Sequence, residues 1–271
     1  MLEIIKYIIL GIIQGITEVF PVSSSGHLII FSNVLDLDLT NLTIFLMITN
    51  LGSFIALLFF FRKDITELIT KFLVFLFKKE KREDLEIKEG FNYSIKLLIS
   101  VIPVGILGLL LEKHIKSNML VVGLALLVTG TLLLLMFLLR NREFKNEITY
   151  QNAFVISIFQ AAAIIPGISR SGITTVGGLS QKINIKDVLK FSFLSYIVIS
   201  VPVSVKGIID LAGVKESINL LGYILAFIFS FIATFITVKI LFKFVKPKNL
   251  IWFSIYCFLV GTFSVLWFVL V

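Results

Sequence analysis

The sequence predicts an all-α polytopic membrane protein with six transmembrane helices and two re-entrant helix-loop-helix hairpins, arranged as an inverted-topology repeat. Of its 271 residues, 58% are hydrophobic and only 15% are charged. The mean hydropathy of +1.02 is far above that of ordinary soluble domains. Apolar runs long enough to span a membrane recur along the chain, and two similar polar segments interrupt it. These observations together indicate the fold class.

The two polar segments are QGITEVFPVSSSGH at 14–27 and QAAAIIPGISRSG at 160–172. They lie within longer apolar stretches, about 4–34 and 151–181, each broken in the middle by Pro, Gly and Ser. Pro removes a backbone donor, and Gly and Ser favour turns, so neither stretch continues as one regular helix. Ionisable groups inside a bilayer mostly line a cavity and act on a substrate. We therefore expect the two segments to form one site.

Six further apolar runs are long enough, or nearly so, to cross about 30 Å of hydrocarbon as helices. Lys96 and Lys190 lie near the ends of two of these runs, where their side chains can reach the interface. The runs are approximately 42–61, 93–112, 119–139, 187–206, 218–238 and 249–270.

The distribution of Lys and Arg distinguishes crossing stretches from re-entrant ones. If both broken stretches return to the side they entered, the loops at 62–96, 140–145, 182–190 and 239–248 share one face and hold 19 of the 25 Lys and Arg residues. If both crossed, the split would be 15 to 9. Because Lys and Arg concentrate in cytoplasmic loops, we predict re-entrant hairpins, basic cytoplasmic loops and both termini external. The remaining cations are Arg170, within the membrane, and Lys6, Lys113, Lys116, Lys206 and Lys215 on the external face.

An internal repeat relates the two halves of a single membrane domain. Gln14 precedes Gly26 by twelve positions, as Gln160 precedes Gly172. Repeat one spans about 1–140 and repeat two about 150–271, each with one hairpin followed by three crossings. Three crossings are odd, so the second repeat is inverted relative to the first.

Inverted repeats with broken helices bring their loops together near the membrane midplane. This geometry predicts that Arg170 lies close to His27 and Glu18. The segment 62–89, which alternates apolar and charged residues, fits either a cytoplasmic amphipathic helix on the headgroups or a solvated loop. The N-terminal MLEIIKYIIL lacks the charged segment and cleavage site of a signal peptide, so we expect it in the mature protein.

The first polar segment carries a carboxylate and a possible nucleophile. Gln14 and Glu18 are four residues apart and share one helix face. Glu18 could ligate a divalent cation, act as a general base or make a helix-packing hydrogen bond, and the cost of a charge at this depth favours function. Ser next to His is the minimum equipment for nucleophilic attack, although serines in membrane helices often only satisfy backbone groups. The hydroxyls and the base lie at Ser23, Ser24, Ser25, Gly26 and His27.

The second polar segment carries Arg170, flanked by Ser169 and Ser171 and followed by Gly172. A Gly-rich turn that opens a helix can bind an anion through backbone N–H groups and the helix N-terminus. The guanidinium suits phosphate oxygens, and an ion pair with Glu18 is the alternative. Asn50 and Gln160 are more typical of interhelical hydrogen bonds. Arginine, carboxylate, hydroxyls and histidine in one cavity indicate phosphoryl transfer or phosphate binding, with a lipid substrate arriving laterally.

The residue inventory excludes several other classes. One cysteine, Cys257, provides neither a disulfide framework nor a thiolate metal site. Two histidines exclude a histidine-cluster metal centre. No nucleic-acid partner is expected.

The two segments resemble the signature motifs of the undecaprenyl-diphosphatase family, the bacitracin-resistance type of membrane phosphatase. GIIQGITEVFPVSSSGHL and PGISRSG carry the resemblance, supported by LGSFIALLFFFR, IPVGILGLLLE and FSFL, and it covers nearly the whole chain. Gln14 lies where many members have Glu, and Asn50 lies where Gln or His is expected. FSFLSYIVISVP also differs from the usual FSFLLSIP spacing. The type 2 phosphatidic acid phosphatases, which also use SGH, are excluded because Val176 occupies the position of their third-motif histidine.

The resemblance implies hydrolysis of undecaprenyl diphosphate to the monophosphate at the outer face of the plasma membrane, which recycles the carrier lipid of cell-wall synthesis and confers bacitracin resistance. Bacitracin would compete for the substrate, and a homodimer is compatible with the sequence. Arg170 and the SRSG backbone would hold the diphosphate, while Glu18 and Gln14 place Mg²⁺ or Ca²⁺. Ser24 or His27 would attack, or His27 would activate Ser24 or water. A transporter or flippase of polyprenyl phosphate is the rival function.

Overall fold

The computed structural model describes residues 2–37, 42–111, 118–145, 147–212 and 219–270. In these ranges the chain is helical, and its only β-type pairing is one isolated bridge between Lys145 and Ile183. The α-helices are α1 (Leu2–Val19), α2 (Ser24–Val34), α3 (Leu42–Phe60), α4 (Arg62–Phe77), α5 (Leu85–Leu111), α6 (Met119–Leu138), α7 (Tyr150–Ala161), α8 (Arg170–Ser180), α9 (Ile185–Ala212), α10 (Leu220–Phe244) and α11 (Leu250–Leu270).

Six of these helices, α3, α5, α6, α9, α10 and α11, are long and apolar enough to cross a membrane, with mean hydropathies of 1.5 to 2.6. They confirm the six predicted runs and an integral membrane protein. Helix α5 begins earlier than predicted, at Leu85, and α9 extends to Ala212. Some predicted positions lie outside the described residues: one end of each of two runs, at 112 and 218, and the loop lysines Lys113, Lys116 and Lys215.

The two broken stretches each form a pair of helices whose outer ends meet. In the first, Lys6 Nζ donates to the carbonyl of Asp36 at 3.2 Å. In the second, Lys145 N donates to the carbonyl of Lys182 at 2.6 Å, and Asn184 N donates back to Lys145 at 2.8 Å. Pro, Gly and Ser interrupt both stretches where predicted, and a 3₁₀ turn over Ala162–Ile164 precedes the second break.

Helix packing repeats between the halves. Helix α1 packs on α10 and α7 packs on α5, while α3 and α9 lie together and α6 pairs with α11. The α1–α10 contact is close, since a Cβ on Gly11 or Gly15 would lie 2.4 or 2.5 Å from the carbonyl oxygen of Ala226 or Ser230. Only glycine allows the backbones this near, so these packed helices hold the first broken stretch in place.

Helix α4 confirms the helical alternative for the first part of the segment 62–89. It has no buried residue, and Phe72 and Phe75 stack on Phe91 of α5 with ring centroids 5.3 and 4.0 Å apart. Ile69 and Phe77 remain 54% and 79% exposed. This apolar exposure beside a dense basic turn is typical of a helix at a lipid interface.

Candidate active site

The two turns that break the hairpins contact each other at the centre of the molecule. A Cβ on Gly26 would lie 3.1 Å from Gly167 Cα. The hydroxyl of Ser171 donates to the carbonyl of Phe20 at 3.2 Å. The predicted meeting of the two segments is therefore confirmed.

Each turn ends in a serine that caps the next helix. Ser23 Oγ accepts from Gly26 N at 3.3 Å, and Ser169 Oγ accepts from Gly172 N at 3.1 Å. Helices α2 and α8 therefore begin at Ser24 and Arg170. A helix N-terminus leaves backbone donors free and carries positive potential, so both helices direct anion-attracting ends toward the same region.

The carboxylate of Glu18, 4% exposed, is the centre of the site. Its Oε2 accepts from Ser24 Oγ at 2.6 Å and from Gln14 Nε2 at 3.0 Å. Its Oε1 forms an ion pair with Arg170 Nη2. A carboxylate buried in an apolar protein needs such partners. Here the first polar segment bonds one oxygen of Glu18, and the second polar segment bonds the other.

Arg170 lies on the ring of Tyr196 from α9, with its guanidinium carbon 3.5 Å from the ring centroid. The hydroxyl of Tyr196 donates to the backbone carbonyl of Asn50 at 3.3 Å, and Asn50 Oδ1 accepts from Gln14 Nε2 at 2.7 Å. The stack and these hydrogen bonds link α1, α3 and α9 around the ion pair. Stacking of a guanidinium on an aromatic face orients its plane as well as stabilising the charge.

A cavity of about 390 Å³ opens beside this cluster. Its polar wall carries Glu18 and Arg170 together with serines of both turns, and its other wall is apolar. The polar wall includes Ser23, Ser24, Ser25, Ser169 and Ser171, and the apolar wall includes Met47 and Leu51 of α3, Val104 of α5, and Ile199 and Val203 of α9. Such a cavity suits a ligand with an anionic head and an apolar body.

His27 does not join this cluster. It is fully buried, with Nδ1 2.7 Å from the carbonyl of Ser23 and Nε2 2.8 Å from the hydroxyl of Tyr256 on α11. The hydroxyl of Ser24 is bonded to Glu18 instead. Of the residues predicted for the site, the structure brings Gln14, Glu18, Ser24 and Arg170 together, while His27 lies behind the turn.

The predicted interhelical hydrogen bonds of Asn50 and Gln160 are confirmed. Asn50 bonds Gln14, whereas Gln160 Nε2 donates to the carbonyl of Ser100 at 3.3 Å and its Oε1 accepts from Ser195 at 3.2 Å. Sequence reasoning missed Tyr196 and Tyr256. Tyrosines in apolar helices are common, and no local pattern marks these two as partners of Arg170 and His27.

The oxygen atoms of Glu18 and Gln14 are of the kind that a hard divalent cation binds. Within the described ranges, no cluster of three or more His, Cys, Asp or Glu residues is present. Gln14 Oε1, however, is buried and has no hydrogen-bond partner among the described residues, while the Nε2 atom of the same amide bonds the Glu18 carboxylate. Amide and carboxylate oxygens are ligands that Mg²⁺ and Ca²⁺ accept, and Mg²⁺ commonly completes its coordination with substrate phosphate oxygens and water.

The fold and the cavity define a class: an integral membrane protein whose arginine, carboxylate and hydroxyl groups suit a phosphorylated lipid. The family model described as bacitracin resistance protein BacA matches residues 7–263. The chain is 52% identical over 270 residues to an undecaprenyl-diphosphatase of Acholeplasma laidlawii, which covers 98% of this chain and 97% of the relative. It is 37% identical to undecaprenyl-diphosphatase 1 of Bacillus licheniformis over 265 residues, 96% of each chain.

A third relative, an undecaprenyl-diphosphatase of Oceanobacillus iheyensis, is 35% identical over 267 residues, covering 95% of this chain and 94% of the relative. These matches run through both polar segments and all six spanning helices. The chain therefore belongs to the bacitracin-resistance (BacA) family, and the resemblance seen in the two polar motifs is confirmed.

Proposed function

We propose that this protein hydrolyses a polyprenyl diphosphate, undecaprenyl diphosphate in bacteria, to the monophosphate and inorganic phosphate, and so recycles the lipid carrier of cell-wall synthesis. The observation that carries this is the Glu18 carboxylate bonded to both Ser24 and Arg170 on the wall of an apolar cavity. Full-length similarity to undecaprenyl-diphosphatases supports it.

Arg170 and the N-termini of α2 and α8 bind the diphosphate in this mechanism. The incoming anion competes with Glu18 for the guanidinium, because a diphosphate carries more charge and more acceptor oxygens than one carboxylate. The serine caps already bond the backbone N–H groups of Gly26 and Gly172. The N–H groups of Ser25 and Ser171, also in the first turns of α2 and α8, donate to the phosphate oxygens in this proposal. Binding thus releases one oxygen of Glu18 from its resting ion pair.

Ser24 then attacks the terminal phosphorus. Its hydroxyl already donates to Glu18 at 2.6 Å, so the carboxylate takes the proton as the Oγ–P bond forms. The bond from phosphorus to the bridging oxygen breaks, and polyprenyl monophosphate leaves. Water subsequently hydrolyses the phosphoserine, which releases phosphate and regenerates Ser24.

Glu18 and Gln14 would hold the divalent cation, Mg²⁺ or Ca²⁺. When bound, the cation neutralises charge on the terminal phosphate and so favours attack by an oxygen nucleophile. Gln14 would supply a neutral oxygen, so α1 would contribute one formal negative charge to the cation. The cavity wall made by Met47, Val104 and Val203 receives the first isoprene units, since it is apolar and Val203 is 50% exposed.

Both broken stretches are proposed to be re-entrant. Support comes from the bonds that join the ends of each stretch, Lys6 with Asp36 and Lys145 with Lys182. Lys190 also forms a salt bridge with Asp64 at 2.5 Å. If both broken stretches crossed the membrane, the segments that carry these two residues would lie on opposite faces. With the positive-inside rule this arrangement puts the basic loops in the cytoplasm, both termini outside and the cavity open to the external face.

The inverted repeat is supported by side-chain bonds that recur between the halves, over about 1–140 and 150–271. Gln14 bonds Asn50, 36 positions on, and Gln160 bonds Ser195, 35 positions on. The pairing of α1 with α10 and of α7 with α5 is the exchange that a two-fold axis in the membrane plane produces. We keep the homodimer as a further proposal, together with competition by bacitracin for the diphosphate.

Phosphate release from a polyprenyl diphosphate by the detergent-purified protein tests the function. We expect release with Mg²⁺ or Ca²⁺, loss with EDTA, and loss in both Arg170→Ala and Glu18→Ala. Added bacitracin should slow release, and excess substrate should restore it. If the wild-type protein releases no phosphate over background with either cation, the proposed phosphatase activity is wrong. Transport of polyprenyl phosphate would then be the function to test.

A further inference from the structure

The two turns share a sequence register but differ in backbone conformation. Ser23 and Ser169 are equivalent caps, yet Ser23 has a φ of 70° whereas Ser169 has a φ of −74°. A positive φ is unusual for a residue with a side chain and persists only when its surroundings hold it. The residue four positions after each cap also differs, His27 in the first turn and Ile173 in the second.

His27 supplies a bond that the first turn otherwise lacks. The carbonyl of Ser23 accepts from the backbone N–H of His27 at 3.2 Å, a longer bond than the 2.7 Å between Ile173 N and the carbonyl of Ser169. The imidazole adds a second donor, with Nδ1 2.7 Å from the same Ser23 oxygen. The turn with the positive φ is therefore the one whose serine carbonyl also bonds a histidine side chain.

The partners of His27 fix its tautomer. A carbonyl oxygen only accepts, so Nδ1 must carry hydrogen to bond Ser23. In the neutral ring Nε2 is then an acceptor, and the hydroxyl of Tyr256, 2.8 Å away, donates to it. The tyrosine ring lies parallel to the imidazole, with centroids 5.4 Å apart and planes at 6°. The Ser23 carbonyl thus selects the tautomer, and Tyr256 orients the ring.

We propose that His27 and Tyr256 are positioning residues, which hold the Ser23 turn and thereby direct the Ser24 hydroxyl onto Glu18. The proposal rests on the proposed function in taking Ser24 as the attacking group. His27 does not touch the reacting atoms: it is fully buried, both ring nitrogens are engaged, and it is not part of the cavity wall. The proton acceptor for Ser24 is the carboxylate that the serine already bonds.

Nitrogen NMR measures the tautomer of His27 independently of enzyme activity. The chain has two histidines, His27 and His114, so His114→Gln leaves one imidazole in a ¹⁵N-histidine-labelled protein purified in detergent. We expect the nitrogen resonances of a neutral ring protonated at Nδ1, and in Tyr256→Phe a shift of the Nε2 resonance as the hydrogen bond from the tyrosine hydroxyl is lost. A wild-type ring protonated at Nε2 would overturn the proposal.

The kcat and KM of His27 and Tyr256 variants distinguish a positioning role from a direct role in the chemical step. In His27→Asn the amide nitrogen takes the place of Nδ1 and can still donate to Ser23, whereas His27→Leu has no donor. We expect His27→Asn and Tyr256→Phe each to lower kcat by about tenfold, the weight of one hydrogen bond. His27→Leu should lose at least about 100-fold, in keeping with loss of both bonds and of the turn. KM should change little, because Arg170 still binds the diphosphate.

Tyr223→Phe is the matched control, since Tyr223 is buried against Tyr7 and Phe45, away from the cavity. It should leave kcat unchanged. If His27→Asn is as inactive as His27→Leu, the ring itself takes part in the chemistry and the positioning role is wrong. If wild type releases no phosphate, the proposed function fails, while the ¹⁵N measurement still decides the arrangement of His27 and Tyr256.

Discussion

Ser24 and Arg170 donate to opposite oxygens of one carboxylate, that of Glu18. Each is the first residue of a short helix, and the two occupy the same place relative to their serine caps, Ser23 and Ser169. The hydroxyl proposed to attack and the cation proposed to bind the anion therefore come from equivalent positions in the two halves of the chain. Only the first half supplies the carboxylate, and of the two caps only Ser23 has a positive φ, so equivalent sequence positions differ in both conformation and chemistry.

Replacement of Ser24 tests the attacking group. Ser24→Ala removes the hydroxyl that Glu18 would deprotonate, and we expect kcat to fall by about 10³-fold or more, as for other nucleophiles. Phosphate release under saturating substrate measures it. Ser32→Ala, which removes another hydroxyl from α2 that bonds only the backbone of Ile29, should keep wild-type kcat. Equal activity of the two variants would exclude Ser24 as nucleophile.

Arg170→Lys keeps the charge but loses the planar fork and the stack on Tyr196. We expect kcat/KM to fall by about 10²-fold, since a point charge cannot reproduce two parallel hydrogen bonds to phosphate. The control is Arg140→Lys, because Arg140 also lies on an aromatic ring, that of Phe137 at 4.1 Å, but belongs to a basic loop. A fall in Arg140→Lys as large as that in Arg170→Lys would mean that the effect is not local.

Close packing of α1 on α10 should make Gly15 intolerant of any side chain. In Gly15→Ala the new methyl would meet Ser230 O at 2.5 Å and Ala233 Cβ at 2.6 Å, and we expect a loss of about 1–3 kcal/mol. Gly105→Ala is the matched control: its new methyl would have no atom within 4 Å, and alanine favours the helix by about 0.5–1 kcal/mol. Thermal unfolding in detergent compares them, and equal melting temperatures would contradict the packing.

Cysteine labelling in intact cells tests the re-entrant second stretch. In a Cys257→Ala background, we expect Glu143→Cys and Lys186→Cys, both at exposed positions, to resist a membrane-impermeant maleimide until the cytoplasmic side is opened. Asp36→Cys, exposed at the other end of the molecule, should react at once. Labelling of Glu143→Cys and Lys186→Cys from opposite sides would show that the stretch crosses.

Much of the fold could be predicted because the bilayer imposes it. Length and hydropathy alone located the six spanning helices, and Pro, Gly and Ser located the two breaks. The contact of Arg170 with Glu18, which are 152 positions apart, was predicted from the proposed inversion of the two halves.

The details that depend on side-chain packing could not be predicted. His27 and Ser24 are neighbours in sequence, which favoured a direct partnership, but the helix that begins at Ser24 turns the imidazole toward α11. Its partner Tyr256 is 229 positions away, and Tyr196 is likewise one apolar-helix aromatic among many. No sequence pattern distinguishes an aromatic that contacts the site from one that contacts lipid.

Gly26 and Gly167, which contact each other in the folded protein, lie 141 positions apart in the chain, so their contact forms only after the second polar segment has been synthesised. The first broken stretch is synthesised more than a hundred residues before the second, so Glu18 is present in the chain before Arg170. In that interval the partners available within its own half are Gln14 and Ser24. We therefore expect the site to be completed last, when the second broken stretch brings Arg170 to the carboxylate.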